Sequence, residues 1–376
     1  MKISRLAFCA VIIALVLYAS VVNVSVQCPV VSRMAMPKGS EILKVKPAQV
    51  CKFLSFSTIV YAQETGINQE EAFLKKMPQD ILERIAEKGR PDVRGMLDRN
   101  RQGWLHPRFQ MPAALYLIVA ASQGSESRAN DAWRAIDAVF ERQTEAGNFQ
   151  LGSFNGKKPG RMDDLSGVSF WLNSLCHAIL VVQQSDMAAA FDERIKVLMP
   201  KIKKTAYWLA DGCDELKSYD VQAANRLFHD ANAFGFSGLL LNDENLKSIG
   251  RDFLEAGLKL QREDGVFMEK GGHDSGYQAV SLMLLQSYAI YFPEERLNQA
   301  IERGIKWELS RVKDNGEIEV AGNTRTGLGQ EEFFGKIKDV SYESAVLAFL
   351  YYAGRTGSQD TTATAERIYK YVTLKR

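Results

Sequence analysis

The strongest constraint on this chain is an internal repeat. Five times a polar amphipathic stretch runs into a glycine turn, then a loop, then a markedly apolar stretch. The turns read RNRQGWL at Gly103, RQTEAGNF at Gly147, WLADGCDEL at Gly212, LQREDGVF at Gly265 and VKDNGEI at Gly316. The apolar stretches that follow are Met111 to Ala121, Ser166 to Val182, Ala231 to Leu241, Gly276 to Tyr291 and Ser341 to Tyr352. Separations of 44, 65, 53 and 51 residues between the glycines suit an antiparallel helix pair with its loops. Each unit therefore reads as a helical hairpin.

The two helices of a unit differ. Leading helices such as Arg251 to Arg262 and Arg296 to Arg311 carry one charged face, whereas trailing helices such as Tyr277 to Tyr291 are apolar nearly all round. A helix apolar on every side must be surrounded by protein. Hairpins arranged in a ring, trailing helices inside and leading helices outside, meet that demand. The fold class predicted is all-α, an α/α toroid of five to six hairpins, an incomplete (α/α)5-6 barrel. Its last unit is partial, supplied by Thr362 to Leu374, with more helix from Gln69 to Asn100. Strand is expected only as short loop pieces, Val266 to Glu269 and Glu317 to Val320.

Composition agrees with a large core, since 46% of the 376 residues are hydrophobic and 24% charged. The formal charge of +2 conceals a division. Residues 1–62 hold seven of the basic residues and one acid, so the remainder has 40 bases against 44 acids. A mildly acidic body argues against nucleic-acid binding. Residues 1–62 have the composition of an export signal or membrane anchor: a basic start to Arg5, no charge from Leu6 to Ser32, and a second apolar stretch from Phe53 to Ala62 that ends V-Y-A before Gln63. The expected division is a leader or tether at 1–62 and a single toroid domain at 63–376, exported to the periplasm or beyond. Cys9, Cys28 and Cys51 fall in the leader. The body keeps Cys176 and Cys213, too few for a zinc site, and Cys176 sits in an apolar helical run where a buried thiol is expected.

The segment Gln261 to Phe267, Q-x-x-D-G-V-F, is echoed by Gln143 to Phe149. It resembles the Q-rich Gly-aromatic turn of terpenoid cyclases and protein prenyltransferases, and the plan also resembles the toroids of polysaccharide lyases and (α/α)6 glycosidases. That resemblance implies the fold rather than the reaction. Two chemistries of those families lack their residues here. R-M-D-D at Arg161 to Asp164 misses the first acid of the cyclase D-x-D-D, and neither body cysteine lies in a D-x-C pattern. The turn glycine is expected to end the outer helix in a left-handed cap, with the aromatic tucked against the hairpin.

In such a ring the inner-helix N-termini and their loops line one mouth of the central cavity. Aligned by their first acid these junctions read DLSGVSF at Asp164, DANAFGF at Asp230, DSGYQAV at Asp274 and DVSYESAV at Asp339. Each aspartate is expected to cap its helix. The decoration around the caps asks for more than capping. His229 and His273 precede two of them, and Tyr277 and Tyr342 follow two at the same spacing, each ahead of a Gln or Glu, Gln278 and Glu343. The preceding loops are long and Gly-rich, with Lys157, Lys158, Arg161, Lys270, Arg325, Lys336 and Lys338 forming an expected basic rim for anionic ligands.

The pattern fits an exported enzyme acting on an anionic polysaccharide or oligosaccharide, foremost a lyase performing β-elimination at a uronic acid. That reaction needs a neutralised carboxylate and a base aligned with the C5 proton. Tyr277, His273 and Tyr342 are the candidate catalytic residues. Arg325, Gln278 and Asn232 are candidates to hold the carboxylate, with His229, Glu331 and Asp274 at the same mouth. Two alternatives remain open: a hydrolase using paired carboxylates among Asp164, Asp274, Glu331 and Asp339, and a non-catalytic envelope protein that binds a glycan or a partner. None of the three requires a metal or cofactor.

Overall fold

The computed structural model describes residues 70–374 apart from 154–155, 157, 328–329 and 334–335. All of them belong to the unit Thr58–Arg376. The leader reading of residues 1–62 and Lys157 of the expected rim lie outside the described residues.

Helices carry the architecture. A helix described from residue 70 to 76, α1, is followed by α2 (Gln79–Glu87), α3 (Pro112–Ser122), α4 (Glu126–Phe140), α5 (Arg161–Gln184) and α6 (Ala188–Asp211). Then come α7 (Cys213–Asp220), α8 (Ala224–Leu241), α9 (Glu244–Leu258), α10 (Ser275–Tyr291), α11 (Glu295–Leu309), α12 (Tyr342–Thr356) and α13 (Gln359–Leu374). The five apolar stretches are α3, α5, α8, α10 and α12. They stand side by side in that order, and each packs chiefly against the amphipathic helix that follows it, so the hairpins run inner helix first and not, as the repeat suggested, outer helix first. One cavity is lined by residues of α2, α3, α5, α8, α10 and α12 together, so the inner helices close a ring around it. The chain is an all-α, α/α toroid. Helix α1 and helix α13 meet beside the end of α12 and supply the last, partial unit.

Burial explains the composition of the inner ring. Helix α5 is long and apolar enough to cross a membrane, but Leu165, Val168, Trp171, Leu172, Leu175 and Ile179 are fully buried inside the protein. Each such side chain contributes about 1.5 to 3 kcal/mol when taken from water. Cys176 lies among them as a free thiol, as expected, and burial pushes its pKa up.

The glycine turns do a different job from the expected one. Helices α4, α9 and α11 end in right-handed caps at Glu141, Lys259 and Ser310, and the glycine comes several residues later in a tight reversal. Each reversal is closed by one bridge: Gln143 to Phe149, Gln261 to Phe267, Val312 to Ile318. Gly265 has φ +96°, and a Cβ there would stand 2.3 Å from the Arg303 carbonyl of the next outer helix. Both the left-handed conformation and the close approach require glycine. The glutamine of the motif staples the same junction, Gln261 Nε2 donating to the Ala300 carbonyl at 2.8 Å. Phe149 and Phe267 are buried beneath their turns, as expected. Gly212 departs from the repeat: its φ is −102°, and α7 replaces the reversal. The expected strands are only these isolated bridges. The short hairpin of β1 (Glu332–Phe333) and β2 (Lys336–Ile337), pairing Glu332 with Ile337, was not foreseen.

Candidate functional site

The mouth is built on the start of α10. Asp274 is its N-cap, accepting the Tyr277 N–H at 3.0 Å. The same fully buried carboxylate holds the loop that follows α11, accepting the backbone N–H groups of Arg325 and Thr326 at 2.9 and 2.8 Å and the Thr326 hydroxyl at 3.0 Å. Four donors leave Asp274 no capacity for a ligand. It positions Arg325 instead.

Arg325 is 2% exposed and lies over the Tyr277 ring, its guanidinium carbon 3.8 Å from the centroid. It donates to Glu269 at 2.7 Å and Asn225 at 3.5 Å through Nη1, and to both oxygens of Glu331 at 3.3 Å through Nε. The two carboxylates respond in opposite ways. Burial pushes Glu269 up to about 7 despite Arg325 and the Asn225 N–H that Glu269 caps at the start of α8. Glu331 is also partly buried, yet Lys270, Lys338 and Arg325 together pull it down to about 2. Glu331 is thus a tie within the mouth.

Two further guanidinium groups complete the cluster. Arg108 stands on the 3-10 turn Pro107–Gln110 just before α3, and Arg226 in the first turn of α8. Burial, then the positive charges of Arg226 and Arg325, pull Arg108 down to about 10. Tyr277 and Asp220 act on it in the opposite sense. Arg226 donates to Asp220 at 2.8 Å. Buried Asp220 and Asp230 face each other, and burial with the neighbouring carboxylate raises Asp230 well above the usual range. Burial raises Asp220 as well, and each carboxylate opposes the ionisation of the other.

Arg108 connects the cluster to the cavity wall. Its guanidinium carbon lies 4.3 Å from the Phe170 centroid, and His229 stacks on the same ring at 3.9 Å between centroids. Burial first, then Arg108 and Arg226, depress His229 to about 3, so the imidazole is neutral. Asn173 Nδ2 lies 2.9 Å from His229 Nδ1, which with the amide as donor puts the ring hydrogen on Nε2. His229, Asn173 and Asn232 line the cavity of about 290 Å³. Asn232 also donates to the Leu284 carbonyl at 3.1 Å, tying α8 to α10.

Three expected site residues are turned elsewhere. Gln278 is fully buried and braces the Gly265 turn, accepting the Phe267 N–H at 2.8 Å and donating to the Gly265 and Gly304 carbonyls. His273 packs edge-on against Trp307 of the outer helix α11, with Nε2 3.2 Å from the Ala321 carbonyl. Tyr342 packs against Tyr371 of α13 and lines a groove with Arg84 and Tyr369. Burial and Tyr371 raise its pKa. Tyr277, Arg325, Glu331, Asp274 and, through the Phe170 stack, His229 come together. The caps also need correction. Asp164 lies in the first turn of α5, which Gly160 and Asp163 begin, Asp230 lies inside α8, and Asp339 accepts the adjacent Val340 N–H ahead of the actual cap residue of α12, Ser341. Arg108, Arg226, Asp220 and Glu269 were missed. Each lies in a polar stretch whose spacing gives no period, and only the ring brings them to one place.

Among the described residues no cluster of three or more His, Cys, Asp or Glu could hold a metal. No family signature matches the chain, and no curated protein is similar to it. Among solved structures it is similar to a mutant unsaturated glucuronyl hydrolase from Streptococcus agalactiae complexed with dGlcA-GalNAc6S. That similarity has a TM-score of 0.46 at 11% identity, over 82% of this chain and 79% of the other. It is likewise similar to the unsaturated glucuronyl hydrolase responsible for glycosaminoglycan degradation from Bacillus sp. GL1. There the TM-score is 0.46 at 12% identity, over 83% of each chain. Identity this low equates no side chain of one protein with a side chain of another.

Proposed function

We propose that this protein is a carbohydrate-active enzyme that acts on uronic-acid saccharides by β-elimination, with Tyr277 as the catalytic group. The observation that carries the reading is the convergence of Arg108 and Arg325 on Tyr277 at the inner-helix mouth, with Arg226 beside Arg108. Guanidinium groups offer planar paired donors to carboxylates. A uronate carboxylate placed between Arg108 and Arg325 has its charge offset, which makes the adjacent C5 proton removable. Tyr277 as phenolate takes that proton. The C5–H electrons form the C4–C5 double bond, the C4–O bond breaks, and the departing oxygen receives a proton from the Tyr277 hydroxyl so formed. Neither His273 nor Tyr342 shares the step, so one residue serves as base and then as acid.

Hydrolysis is the second reading, and the buried Asp230 beside Asp220 and Arg226 favours it, because an acid step needs a carboxyl inclined to keep its proton and burial with the neighbouring carboxylate raises Asp230. The four carboxylates named from the sequence do not form such a pair: Asp274 and Glu331 are saturated by donors, and Asp164 and Asp339 stand at other helix starts. The test is incubation of the protein with polyuronates and their oligosaccharides while following both ultraviolet absorbance and reducing ends. Elimination raises both signals together. Reducing ends without absorbance establish hydrolysis, and the absence of both rejects an enzyme of these substrates. Arg108→Ala should raise KM for the anionic saccharide by about tenfold or more.

A further inference from the structure

His177 and Tyr351 of the cavity lining form a floor tied together from below. Glu70 of α1 is fully buried beneath it and joins three inner helices: His177 of α5 lies 2.7 Å from Oε1, the Tyr351 hydroxyl of α12 donates to Oε1 at 2.7 Å, and the Tyr291 hydroxyl of α10 donates to Oε2 at 2.8 Å. Gln184, at the end of α5, donates to the Tyr291 oxygen at 3.2 Å. Burial opposes the charge on Glu70, but His177 and the two hydroxyl donors outweigh it and hold the carboxyl below its usual range. Opening the floor would strand a buried carboxylate, so a polymer cannot thread the ring.

Lys88 and Glu343, paired with each other, stand on the cavity wall, and the rest of it is of two kinds. Ile118, Leu284 and Leu347 offer an apolar surface, while Asn173, Asn232 and His229 offer hydrogen-bonding edges without net charge. A neutral or weakly polar sugar ring presents the same two characters, C–H faces and hydroxyl edges. The volume of about 290 Å³ is at the small end of ligand sites, room for one such ring. The cavity meets the cationic cluster at Phe170, whose ring packs against both Arg108 and the cavity-lining His229.

We infer that this cavity is a terminal subsite, which receives the last sugar of a chain while the adjoining uronate lies at Arg108 and Arg325, so that the enzyme works from chain ends. The inference rests on the uronate reading above. It names the substrate class as oligosaccharides and chain ends rather than polymer interiors, and His177, oriented by Glu70, as a contact of the terminal sugar.

The protein is tested on a long polyuronate and on its tetrasaccharide, with product size read by gel filtration during turnover. Release of small oligosaccharides from the outset, while the remaining polymer keeps most of its length, is the expected result. A rapid fall in mean polymer length at low conversion overturns chain-end action and leaves the uronate reading standing. The absence of both turnover and calorimetric binding with every uronate oligosaccharide overturns both. Ala114 lines the cavity, whereas Arg108, Arg226 and Arg325 do not, and Ala114→Phe fills it. With the melting temperature unchanged, kcat/KM for the tetrasaccharide should fall at least about tenfold, and an unchanged value contradicts a sugar in the cavity. Should that variant unfold, the product-size experiment on the unaltered protein still decides.

Discussion

Helices α10 and α12 begin with the same spacing, an aspartate followed three residues later by a tyrosine, and the two starts do unlike things. Asp274 is buried with four donors, and Tyr277 lies under Arg325. Asp339 is exposed, and Tyr342 packs outward on Tyr371. The difference is the loop that folds over the start. Residues 319–327 cross α10, where Asn323 accepts the Ser275 N–H at 3.1 Å and Thr324 donates to the Glu269 carbonyl at 2.7 Å. The start of α12 instead faces α13, whose Tyr371 packs against Tyr342. A shared local motif becomes a site only where the next hairpin supplies its cover.

The largest way to break this comparison is Asp274→Ala. It strands buried donors of Arg325 and Thr326 and should cost at least about 3 kcal/mol, read as a lowered midpoint in denaturant. A loss below 1 kcal/mol would show that the loop does not depend on Asp274. Gly276 sharpens the contrast, since a Cβ there would meet Thr326, Val340 and Asp274 at 3.1 to 3.3 Å. Ser341, at the same place before α12, already carries a side chain. Gly276→Ala should therefore cost about 1 to 3 kcal/mol, whereas Ser341→Ala, which removes only a hydroxyl bonded to Ser344, stays within about 1 kcal/mol in the same unfolding experiment.

Acidity gives a subtler effect confined to the first region. Glu269 is raised to about 7, so its proton favours the folded state below that pH, and this contribution disappears as pH rises through about 7. Above that point the ionised carboxylate competes with a substrate anion for Arg325. KM for a uronate oligosaccharide should rise several-fold from pH 6 to pH 8 while Glu269→Gln flattens the profile. A pH-independent KM in the unaltered protein would remove Glu269 from the account. The smallest effect belongs to the second region. Asp339→Ala should change stability by no more than about 0.5 kcal/mol, and a cost above 1 kcal/mol by thermal unfolding would restore it as a structural cap.

How much of this was legible follows from the same physics. The ring was readable because α3, α5, α8, α10 and α12 are apolar on all faces and recur with their turns, and a helix of that kind has one kind of surroundings. Asp274 and Arg325 were readable too, as a cap and as a charged residue in a Gly-rich loop. The helix starts at Asp164 and Asp230 were misplaced because α5 and α8 begin earlier, in residues such as Asn225 and Arg226 that stay polar to face the mouth and so break the apolar period. Gln278 and His273 looked like mouth residues by position alone. Which way a side chain turns from a helix start depends on the neighbouring turn and outer helix, here Gly265 and Trp307. Glu70 and His177 are 107 residues apart, and no local signal joins them.

The central claim is that Tyr277 at the start of α10, not its counterpart at the start of α12, performs the chemistry. It is tested by measuring kcat on a uronate oligosaccharide for Tyr277→Phe and Tyr342→Phe, each lacking one hydroxyl and keeping its packed ring. The account predicts that Tyr277→Phe loses at least about 100-fold in kcat with an unchanged melting temperature, while Tyr342→Phe stays close to the unaltered enzyme. Near-normal turnover in Tyr277→Phe, or an equal loss in both, would contradict it.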